Sequence, residues 1–362
     1  MADMAQRERR RKSEARMLDL HTHILPPPDR WPKWAERFNE QGWVSLEQHK
    51  PCCARMWRDG KVFREIQSNC WDATVRIKEC DACRVRVQAL STVPVMFGYA
   101  AKAAHTLDVA RWLNDHIAEV VAAYPTRFVG LGTVPLQDPL LAINELDRCM
   151  STLNMRGVQI GSHVNRWNLD APELFPFFQR CEKLGAAVFV HPWDMLGSAE
   201  MPDYWMPWLV GMPAETCRAV VSVLMGGVLD RLPRLRLCFA HGGGSFPGTI
   251  GRIDHGFHAR PDLCQTKTKH SPRDFLRDEK TNRPAAFYVD SLVHDAWALR
   301  GLLRLLGAER VALGTDYPFP LGEITPGELI ASMQDLDDAT RQRLLWETGW
   351  EFLGGTLPHS PQ

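Results

Sequence analysis

The sequence predicts an α/β fold in which eight parallel strands and their helices close into a (β/α)8 barrel. Eight short, mostly apolar runs recur along the chain, as expected of parallel strands that are buried on both faces. Helical patterns separate these runs, so strands alternate with helices. The alternative is a doubly wound sheet, but no G-x-G-x-x-G motif follows the first apolar run.

The predicted strands are spaced along nearly the whole chain. In order, they are Met17–His21, Arg86–Thr92, Arg127–Thr133, Gly157–Gly161, Ala187–His191, Leu235–His241, Ala286–Asp290 and Arg310–Asp316. The helical patterns between them include Val75–Arg84, Leu107–Ala123, Leu140–Leu153, Pro172–Leu184, Ala214–Leu229 and Ala296–Leu306. Eight βα units are the number that closes a barrel of this kind.

Two connections are longer than a simple turn. The first, from Pro26 to about Arg64, is rich in Pro, Trp and Gly and includes the alternating stretch Gly60–Ile66. We interpret it as a small β insertion over the barrel mouth. The second, residues 262–284, is polar and basic and is expected to be a surface loop. We therefore expect one barrel domain over residues 17–362, with the insertion at about residues 26–64.

The composition excludes several classes of protein. Of the 362 residues, 45% are hydrophobic and 24% are charged, which is typical of a folded chain rather than a disordered one. Basic and acidic residues number 43 each, so the chain lacks the basic surface that a nucleic-acid-binding protein needs. No unbroken run of 18 apolar residues is present, so no transmembrane helix is expected.

Residues 1–16 and the cysteines favour a cytosolic protein. The first 16 residues are basic but include Glu8 and Glu14, and no apolar stretch follows, so we expect a flexible tail rather than a signal or transit peptide. The ten cysteines are scattered, as is typical of reduced, packed thiols. Cys80 and Cys83 form a C-x-x-C pair, but no second pair completes a zinc-finger pattern.

Histidine and aspartate stand at the ends of four predicted strands. In a (β/α)8 barrel the carboxyl ends of the strands meet at one mouth, where the chemistry occurs. The residues at these ends are His21 and His23 on the first strand, His191 on the fifth, His241 on the sixth and Asp316 on the eighth. The sequence therefore predicts four histidines and one carboxylate around a single mouth.

Four of these side chains fit a metal site. His21 and His23 are two residues apart on a strand, so both imidazoles can face the barrel interior. With His191 and Asp316 they would offer three nitrogens and one oxygen, a suitable zinc ligand set that leaves room for water. The alternative is a pair of buried, hydrogen-bonded histidines. None of the ten lysines lies at a predicted strand end, so no carboxylated lysine bridges two metals and a mononuclear site is predicted.

His241 has a different predicted role. If the other three histidines hold the metal, His241 is free to move protons, for which imidazole is suited near neutral pH. The alternatives are a fifth ligand or a residue that orients a ligand. The glycines Gly242–Gly244 allow a close approach of the backbone to the site. His-Gly-Gly-Gly also occurs in esterases, but the G-x-S-x-G motif that they require is absent.

Several sequence motifs resemble those of a known family. The run Asp19-Leu20-His21-Thr22-His23-Ile24-Leu25-Pro26 resembles the opening of the amidohydrolase superfamily. Longer runs resemble the α-amino-β-carboxymuconate-ε-semialdehyde decarboxylases within it, and the similarity covers roughly residues 17–355. These runs are Val87–Phe97, Phe189–Met195, Tyr204–Thr216, Phe239–Phe246 and Leu313–Gly322.

The resemblance implies a TIM barrel of the amidohydrolase type and a specific reaction. That reaction is the non-oxidative decarboxylation of 2-amino-3-carboxymuconate 6-semialdehyde to 2-aminomuconate 6-semialdehyde. It belongs to the kynurenine pathway of tryptophan catabolism and limits the formation of quinolinate and NAD. The resemblance implies one zinc ion per subunit, held by His21, His23, His191 and Asp316. It also implies His241 as the catalytic acid/base, acting beside Asp316.

The resemblance further implies three substrate-binding residues and a homodimer. Arg64 and Trp208 match residues of the substrate pocket, and Arg252 matches an arginine lent to the neighbouring subunit's site. A dicarboxylate substrate needs cations, and guanidinium binds carboxylate with two hydrogen bonds. The alternatives for these residues are a surface ion pair for either arginine and core packing for Trp208.

Three segments depart from the family pattern, and other functions remain as alternatives. The basic tail is unusual, the stretch Arg277–Ala286 is longer, and Glu347-Thr348-Gly349-Trp350 replaces a Gly-Asn-Ala motif. The last two departures are expected to affect folding, dimerisation or the mouth of the site. The alternatives are another amidohydrolase-superfamily decarboxylase, a hydrolase acting on amides or lactones, and a non-catalytic zinc-binding scaffold.

Overall fold

The computed structural model describes residues 16–355, and eight of its strands form a closed parallel barrel. The strands are β1 Met17–Ile24, β2 Val44–Lys50, β3 Cys53–Arg58, β4 Lys61–Gln67, β5 Val85–Thr92, β6 Phe128–Gly132, β7 Gly157–Gly161, β8 His163–Val164, β9 Trp167–Asn168, β10 Ala187–His191, β11 Arg236–Phe239, β12 Tyr288–Asp290 and β13 Val311–Ala312. Eight of them form one sheet in the order β1-β5-β6-β7-β10-β11-β12-β13.

The two edges of this sheet meet and close the barrel. The Leu20 amide donates to the Leu313 carbonyl, and the His23 amide donates to the Tyr317 carbonyl, both at 2.8 Å. Thr22 and Tyr317 form a parallel bridge at the same seam. The predicted (β/α)8 barrel is therefore confirmed.

Helices follow the barrel strands, as the sequence predicts, and one more short helix lies in the connection after β1. They are α1 Trp34–Phe38, α2 Ala73–Cys83, α3 Ala103–Ala123, α4 Pro139–Ser151, α5 Phe175–Leu184, α6 Met212–Met225, α7 Val228–Arg231, α8 Phe246–Ala259, α9 Pro261–Cys264, α10 Ala296–Leu306, α11 Glu328–Ser332, α12 Asp338–Gln342 and α13 Thr348–Phe352. Short 3-10 turns are Pro28–Arg30, Ser68–Cys70, Pro94–Met96, Pro172–Leu174, Ser198–Glu200, Pro272–Phe275 and Ala308–Arg310, and π segments are Pro207–Gly211 and Arg343–Glu347.

Aspartate residues determine where three of these helices begin. The Asp72 carboxylate accepts hydrogen bonds from the amides of the first turn of α2, and Asp138 does the same for α4, which has a proline at its first position. Asp295 caps α10 through the Ala298 amide at 2.9 Å. Such caps satisfy amides that have no partner inside the helix. Helix α5 ends at Leu184 because the next residue, Gly185, takes the left-handed conformation that commonly terminates a helix.

The segment between β1 and α2 forms the predicted β insertion. Strands β2, β3 and β4 make an antiparallel sheet. Its apolar side chains, among them Val44 and Met56, pack with Val109 and Leu113 of α3. The insertion also contains helix α1, which the sequence analysis missed.

Strands β11 and β13 end earlier than predicted, which changes how two site residues are held. Strand β11 ends at Phe239 rather than His241, and β13 ends at Ala312 rather than Asp316. His241 and Asp316 have φ angles of 55° and 57°, in the left-handed region that interrupts a strand. Both residues therefore lie in turns just beyond the strands, at the same carboxyl-terminal mouth.

The barrel interior is filled with apolar side chains below the mouth. Leu18, Leu20 and Phe189 pack in one cluster with Phe352 of α13, which closes the lower end. A second cluster joins the outer faces of the strands to the helices. The interior is thus a packed core, so the polar side chains of the mouth rest on a rigid floor.

One segment is long and apolar enough to be compared with a membrane span. Residues Pro207–Met225 cover 19 residues with a mean hydropathy of 1.2, although the chain has no unbroken apolar run of 18 residues. The buried face of this segment includes Ala219, Val220 and Val223, which belong to the main core. The segment is therefore explained as a helix of the barrel's outer ring.

Both internal departures from the family pattern lie away from the mouth. The Arg277 and Ala285 amides donate to carbonyls at the end of α10, at 2.9 and 3.0 Å. A Cβ at Gly349 would come within 2.7 Å of Leu18 Cδ2, near the start of β1. Strand starts and helix ends lie at the barrel end opposite the active site. Neither segment therefore lies at the mouth, and their expected effects stay predictions. The basic tail lies almost wholly outside the described residues.

Candidate metal centre

Three histidines and one aspartate converge at the mouth of the barrel. One potential ligand atom from each of His21, His23, His191 and Asp316 lies within 4.8 Å of all the others. The Nε2 atoms of His21 and His23 are 3.2 Å apart, and Asp316 Oδ1 lies 3.5 and 3.0 Å from them. The four side chains come from strands β1 and β10 and from the turn after β13, so the predicted cluster exists.

Each histidine of the cluster uses its other ring nitrogen to fix its orientation. His21 Nδ1 donates to Asp290 Oδ2 at 2.7 Å, His23 Nδ1 to the Thr92 carbonyl at 3.0 Å, and His191 Nδ1 to the Pro192 carbonyl at 2.9 Å. Because a carbonyl only accepts, Nδ1 carries the proton and Nε2 keeps its lone pair. All three Nε2 lone pairs are therefore available to one ion, as in known metal sites.

The geometry of the cluster suits a bound metal ion. His191 Nε2 is buried and has no hydrogen-bond partner within residues 16–355. A buried nitrogen without a partner is costly, and an ion would satisfy it. Four ligands about 2.1 Å from a tetrahedral zinc ion lie about 3.4 Å apart. The three separations among His21, His23 and Asp316, from 3.0 to 3.5 Å, are close to this value. The residues thus fit a divalent ion with a three-nitrogen, one-oxygen ligand set.

The electrostatics hold these side chains in their metal-binding forms. Burial, followed by the nearby His241, lowers the pKa of His191 well below its usual value, and burial also lowers the pKa of His23. Burial alone would raise the pKa of Asp316, but its close contact with the His23 ring and the nearby His21 hold it below the usual value. Neutral imidazole and ionised carboxylate are the forms that bind metals.

His21 differs from the other histidines of the cluster. Burial by itself would lower its pKa, but the hydrogen bond to Asp290 and the charge of Asp316 raise it above the usual value. This strong bond to a carboxylate also increases the basicity of the free nitrogen. Asp290 therefore tunes the ligand as well as orienting it.

His241 faces the cluster without joining it. Its Nε2 is 4.0 Å from Asp316 Oδ2, and its ring centroid is 5.2 Å from that of His21 and 5.0 Å from that of His191. Its buried Nδ1 has no hydrogen-bond partner within residues 16–355. Burial and the neighbouring His21 lower its pKa to about 4. His241 is thus a neutral imidazole beside the metal ligands.

Asp290 holds the turn that carries His241. Its carboxylate accepts from the His241 amide at 2.9 Å and from the Gly242 amide at 2.8 Å, while it also accepts from His21. Gly242 has a φ of 62°, and a Cβ there would come within 2.4 Å of Val293 Cγ1, so the turn needs glycine. The sequence analysis missed this role, although Asp290 ends a predicted strand, as the other site residues do.

Arg64 is a half-buried cation at the mouth. It lies on β4 of the insertion, and its guanidinium carbon is 4.5 Å from the ring centroid of Phe319. Within residues 16–355 it forms no ion pair or hydrogen bond with another side chain. The ring of Phe319 is 5.6 Å from that of His23, which places Arg64 above the metal ligands. An unpaired guanidinium in this position can bind a carboxylate by donating hydrogen bonds to it.

Arg252 and Trp208 do not join the cluster of their own subunit. Arg252 is exposed on α8, and Trp208 is half-buried with its ring 5.7 Å from that of Trp205. Within residues 16–355 no hydrogen bond, ion pair or ring contact links either residue to the histidine cluster. Their assigned roles therefore remain predictions.

The fold and the site define a metal-dependent enzyme built on a (β/α)8 barrel. Comparisons with known proteins then identify its family. The amidohydrolase family model matches residues 18–354. A 2-amino-3-carboxymuconate-6-semialdehyde decarboxylase of Dictyostelium discoideum is 57% identical over 93% of this chain and 91% of that protein. The enzyme of the same name from Caenorhabditis elegans is 38% identical over 94% of this chain and 95% of that protein.

Two solved structures share the fold, and each is named as a decarboxylase. The 5-carboxyvanillate decarboxylase of Sphingomonas paucimobilis has a TM-score of 0.77 at 24% identity, over 95% of this chain and 100% of that one. A dihydroxybenzoic acid decarboxylase of Polaromonas sp. JS666, with bound manganese and the inhibitor 2-nitroresorcinol, has a TM-score of 0.70 at 21% identity, over 93% and 96%. The chain belongs to the amidohydrolase family.

Proposed function

We propose that the protein is a zinc-dependent 2-amino-3-carboxymuconate-6-semialdehyde decarboxylase. It converts its substrate without oxidation to 2-aminomuconate 6-semialdehyde, in the kynurenine pathway, and so limits quinolinate and NAD formation. The observation that supports this most is a four-ligand centre with an adjacent free histidine and an unpaired Arg64, in a chain 57% identical to a relative of that name. We propose a cytosolic location, with no nucleic-acid or membrane partner.

The ligand set favours one zinc ion per subunit. His21, His23, His191 and Asp316 would hold it, and nitrogen-rich sets with one carboxylate suit zinc. A metal held there acts as a Lewis acid and makes water a nucleophile near neutral pH. The three histidine ligands are held in the orientation that this chemistry needs, because the Nδ1 atom of each donates a hydrogen bond.

His241 moves the proton in this proposal. Its ring faces the ligands, and Nε2 is the atom closest to Asp316, at 4.0 Å from Oδ2. Nε2 takes a proton from the attacking water and delivers it to the substrate carbon that bears the departing carboxylate. Protonation of that carbon prepares the carbon–carbon bond to break. As carbon dioxide leaves, the bonding electrons re-form the double bond and expel the hydroxide that the water had added to the conjugated substrate. Asp316, beside Nε2, keeps the protonated imidazole in place.

Arg64, Arg252 and Trp208 bind the substrate in this proposal. The Arg64 guanidinium lies at the mouth, where it pairs with one substrate carboxylate. Arg252 is exposed and has no ion-pair partner within residues 16–355, as expected of a residue that acts in the neighbouring subunit's site. Trp208 lines the substrate pocket. The homodimer is then the active unit, because each site is incomplete alone.

The proposal is tested by direct detection of the reaction. Freshly generated 2-amino-3-carboxymuconate 6-semialdehyde is mixed with the zinc-loaded protein while absorbance decay and released carbon dioxide are followed, with metal-free protein as the control. We expect accelerated decay with one carbon dioxide per substrate. Decay no faster than spontaneous cyclisation would contradict the proposal, and dihydroxybenzoate and amide or lactone substrates would then test the related decarboxylase and hydrolase alternatives.

A further inference from the structure

A fully buried arginine lies directly behind the metal ligands. Arg76 of α2 has no solvent exposure, and within residues 16–355 its guanidinium forms no ion pair. Burying a charge without a partner is costly, so other interactions must hold it. Arg76 donates to the His23 carbonyl, to Thr22 Oγ1 at 3.3 Å and to Gln88 Oε1 at 3.1 Å.

The contacts of Arg76 extend to the turn that carries Asp316. Gln88 Nε2 donates to the Asp19 carboxylate at 3.4 Å. That carboxylate accepts from the His21 amide at 3.3 Å, and from the Thr315 amide and hydroxyl at 3.0 and 2.6 Å. The same buried network therefore reaches both the β1 backbone and the residue before Asp316.

Arg76 also supports the far side of Asp316. Its guanidinium carbon is 4.7 Å from the ring centroid of Tyr317, which follows Asp316 in the chain. The Tyr317 hydroxyl donates to Glu79, one turn further along α2. Helix α2 thus holds the seam of the barrel at the point where β1 meets the turn that carries Asp316.

We propose that Arg76 is a positioning residue that sets the spacing of His21, His23 and Asp316 and so determines metal affinity. The guanidinium is planar and offers donors in a fixed fork, so it can hold a backbone carbonyl and two side chains at set positions. Residues that orient metal ligands typically change metal affinity when they are replaced. The inference rests on the proposed metal centre, but not on the substrate.

The chain offers a matched control at the opposite end of a barrel strand. Arg127 Nε donates to the Arg86 carbonyl at 3.0 Å, and Nη2 donates to the Val85 carbonyl at 3.3 Å. Arg127 also pairs with Asp81 of α2 at 2.7 Å. It therefore ties the same helix to the same sheet, but at the start of β5, away from the ligands. Its replacement should lower stability without changing metal affinity.

The test compares zinc affinity with stability in Arg76→Met, Arg76→Lys and Arg127→Met. Zinc dissociation constants are measured by competition with a chelator, without substrate and well below the unfolding temperature of each variant. We expect Arg76→Met to bind zinc about 10–100-fold more weakly. Arg76→Lys should recover part of that loss, and Arg127→Met should bind zinc as the unmodified protein does while losing thermal stability.

The outcomes separate this inference from the proposed function. Unchanged zinc affinity in Arg76→Met, or an equal loss in Arg127→Met, would overturn the positioning role while leaving the decarboxylase intact. If the unmodified protein held no zinc, the metal centre itself would be wrong and both proposals would fail. Should Arg76→Met not fold, Gln88→Leu breaks the link from Arg76 to Asp19 and should still weaken zinc binding, whereas unchanged binding would contradict the network.

Discussion

The three clustered histidines use their two ring nitrogens for separate purposes. Nδ1 is bound to Asp290 or to a backbone carbonyl, and Nε2 faces the common centre. The residues of this centre could be predicted because each lies at, or just beyond, the carboxyl end of a barrel strand. Their partners could not, since Asp290 and the carbonyls of Thr92 and Pro192 are set by three-dimensional packing. Asp290 is the partner with the widest effect, because it also holds the turn of His241.

The residue scale gives a prediction for His241. His241→Ala should keep one metal per subunit, since His241 is not among the four clustered ligands. Its kcat should fall about 10²–10⁴-fold, the usual contribution of a general acid or base. Metal content by elemental analysis and carbon dioxide release check the two parts. The control is His255→Ala, exposed on α8; turnover retained by His241→Ala would remove the assigned role.

A second residue-scale prediction concerns pH and His116 of α3. Burial, and then the nearby Arg30, lower the pKa of His116 to about 4. The unfolded chain binds the proton of His116 more readily than the folded chain does. The contribution of neutral His116 to stability is therefore complete above about pH 6.5 and is lost as the pH falls toward 4. Between pH 7 and pH 5, the protonation of His116 in the unfolded chain should lower the free energy of unfolding by on the order of 2 kcal/mol.

The measurement for His116 is denaturant unfolding at both pH values, with His116→Leu as the comparison. Both proteins contain the same metal centre, so the difference between them isolates His116. The variant should lose less stability over this pH range than the unmodified protein does. Equal losses in the two proteins would show that His116 is not the titrating group.

At the scale of elements, the strands position the site and the turns after them complete it. Most strand and helix locations could be predicted, because apolar runs and helical periodicity mark buried parallel strands and their covering helices. The ends of β11 and β13 could not, since the left-handed conformations of His241 and Asp316 depend on tertiary hydrogen bonds such as that from the Asp316 amide to the His21 carbonyl, at 2.9 Å.

Close packing of neighbouring strands gives a prediction at this scale. A Cβ at Gly157 of β7 would lie 1.9 Å from the Ala187 carbonyl oxygen of β10, and backbone cannot move aside cheaply. Gly157→Ala should therefore lower the free energy of unfolding by about 3 kcal/mol or more. Thermal denaturation tests this, with Gly248→Ala on α8 as the control, because no atom lies within 4 Å of a Cβ there. An unchanged melting temperature for Gly157→Ala would contradict the strand packing.

At the scale of the whole molecule, the barrel separates stability from chemistry. The packed interior and the two internal departures from the family pattern lie below the mouth. The metal ligands, His241 and Arg64 lie at the mouth. The barrel itself could be predicted from the number and order of its units. The homodimer stays a proposal, because one chain shows no interface, and the observation that supports it is the exposed position of Arg252.

The dimer is tested by mixing two inactive variants. If Arg252 acts in the partner's site, a hybrid of His241→Ala and Arg252→Ala subunits has one complete site. After dissociation and random reassembly, about a quarter of the unmodified activity should return, since about half of the dimers are hybrids with one working site of two. Carbon dioxide release from the mixture measures this. No recovery, with hybrid formation verified by tagged subunits, would show that Arg252 does not act across the interface.

The central claim is that one metal ion held by His21, His23, His191 and Asp316 supports decarboxylation. The most direct measurement is a zinc titration of the metal-free protein, with carbon dioxide release from 2-amino-3-carboxymuconate 6-semialdehyde recorded at each step. We expect no release without metal, a linear rise, and a plateau at one zinc per subunit. Release that is independent of metal, or a plateau at two zinc ions per subunit, would contradict the account.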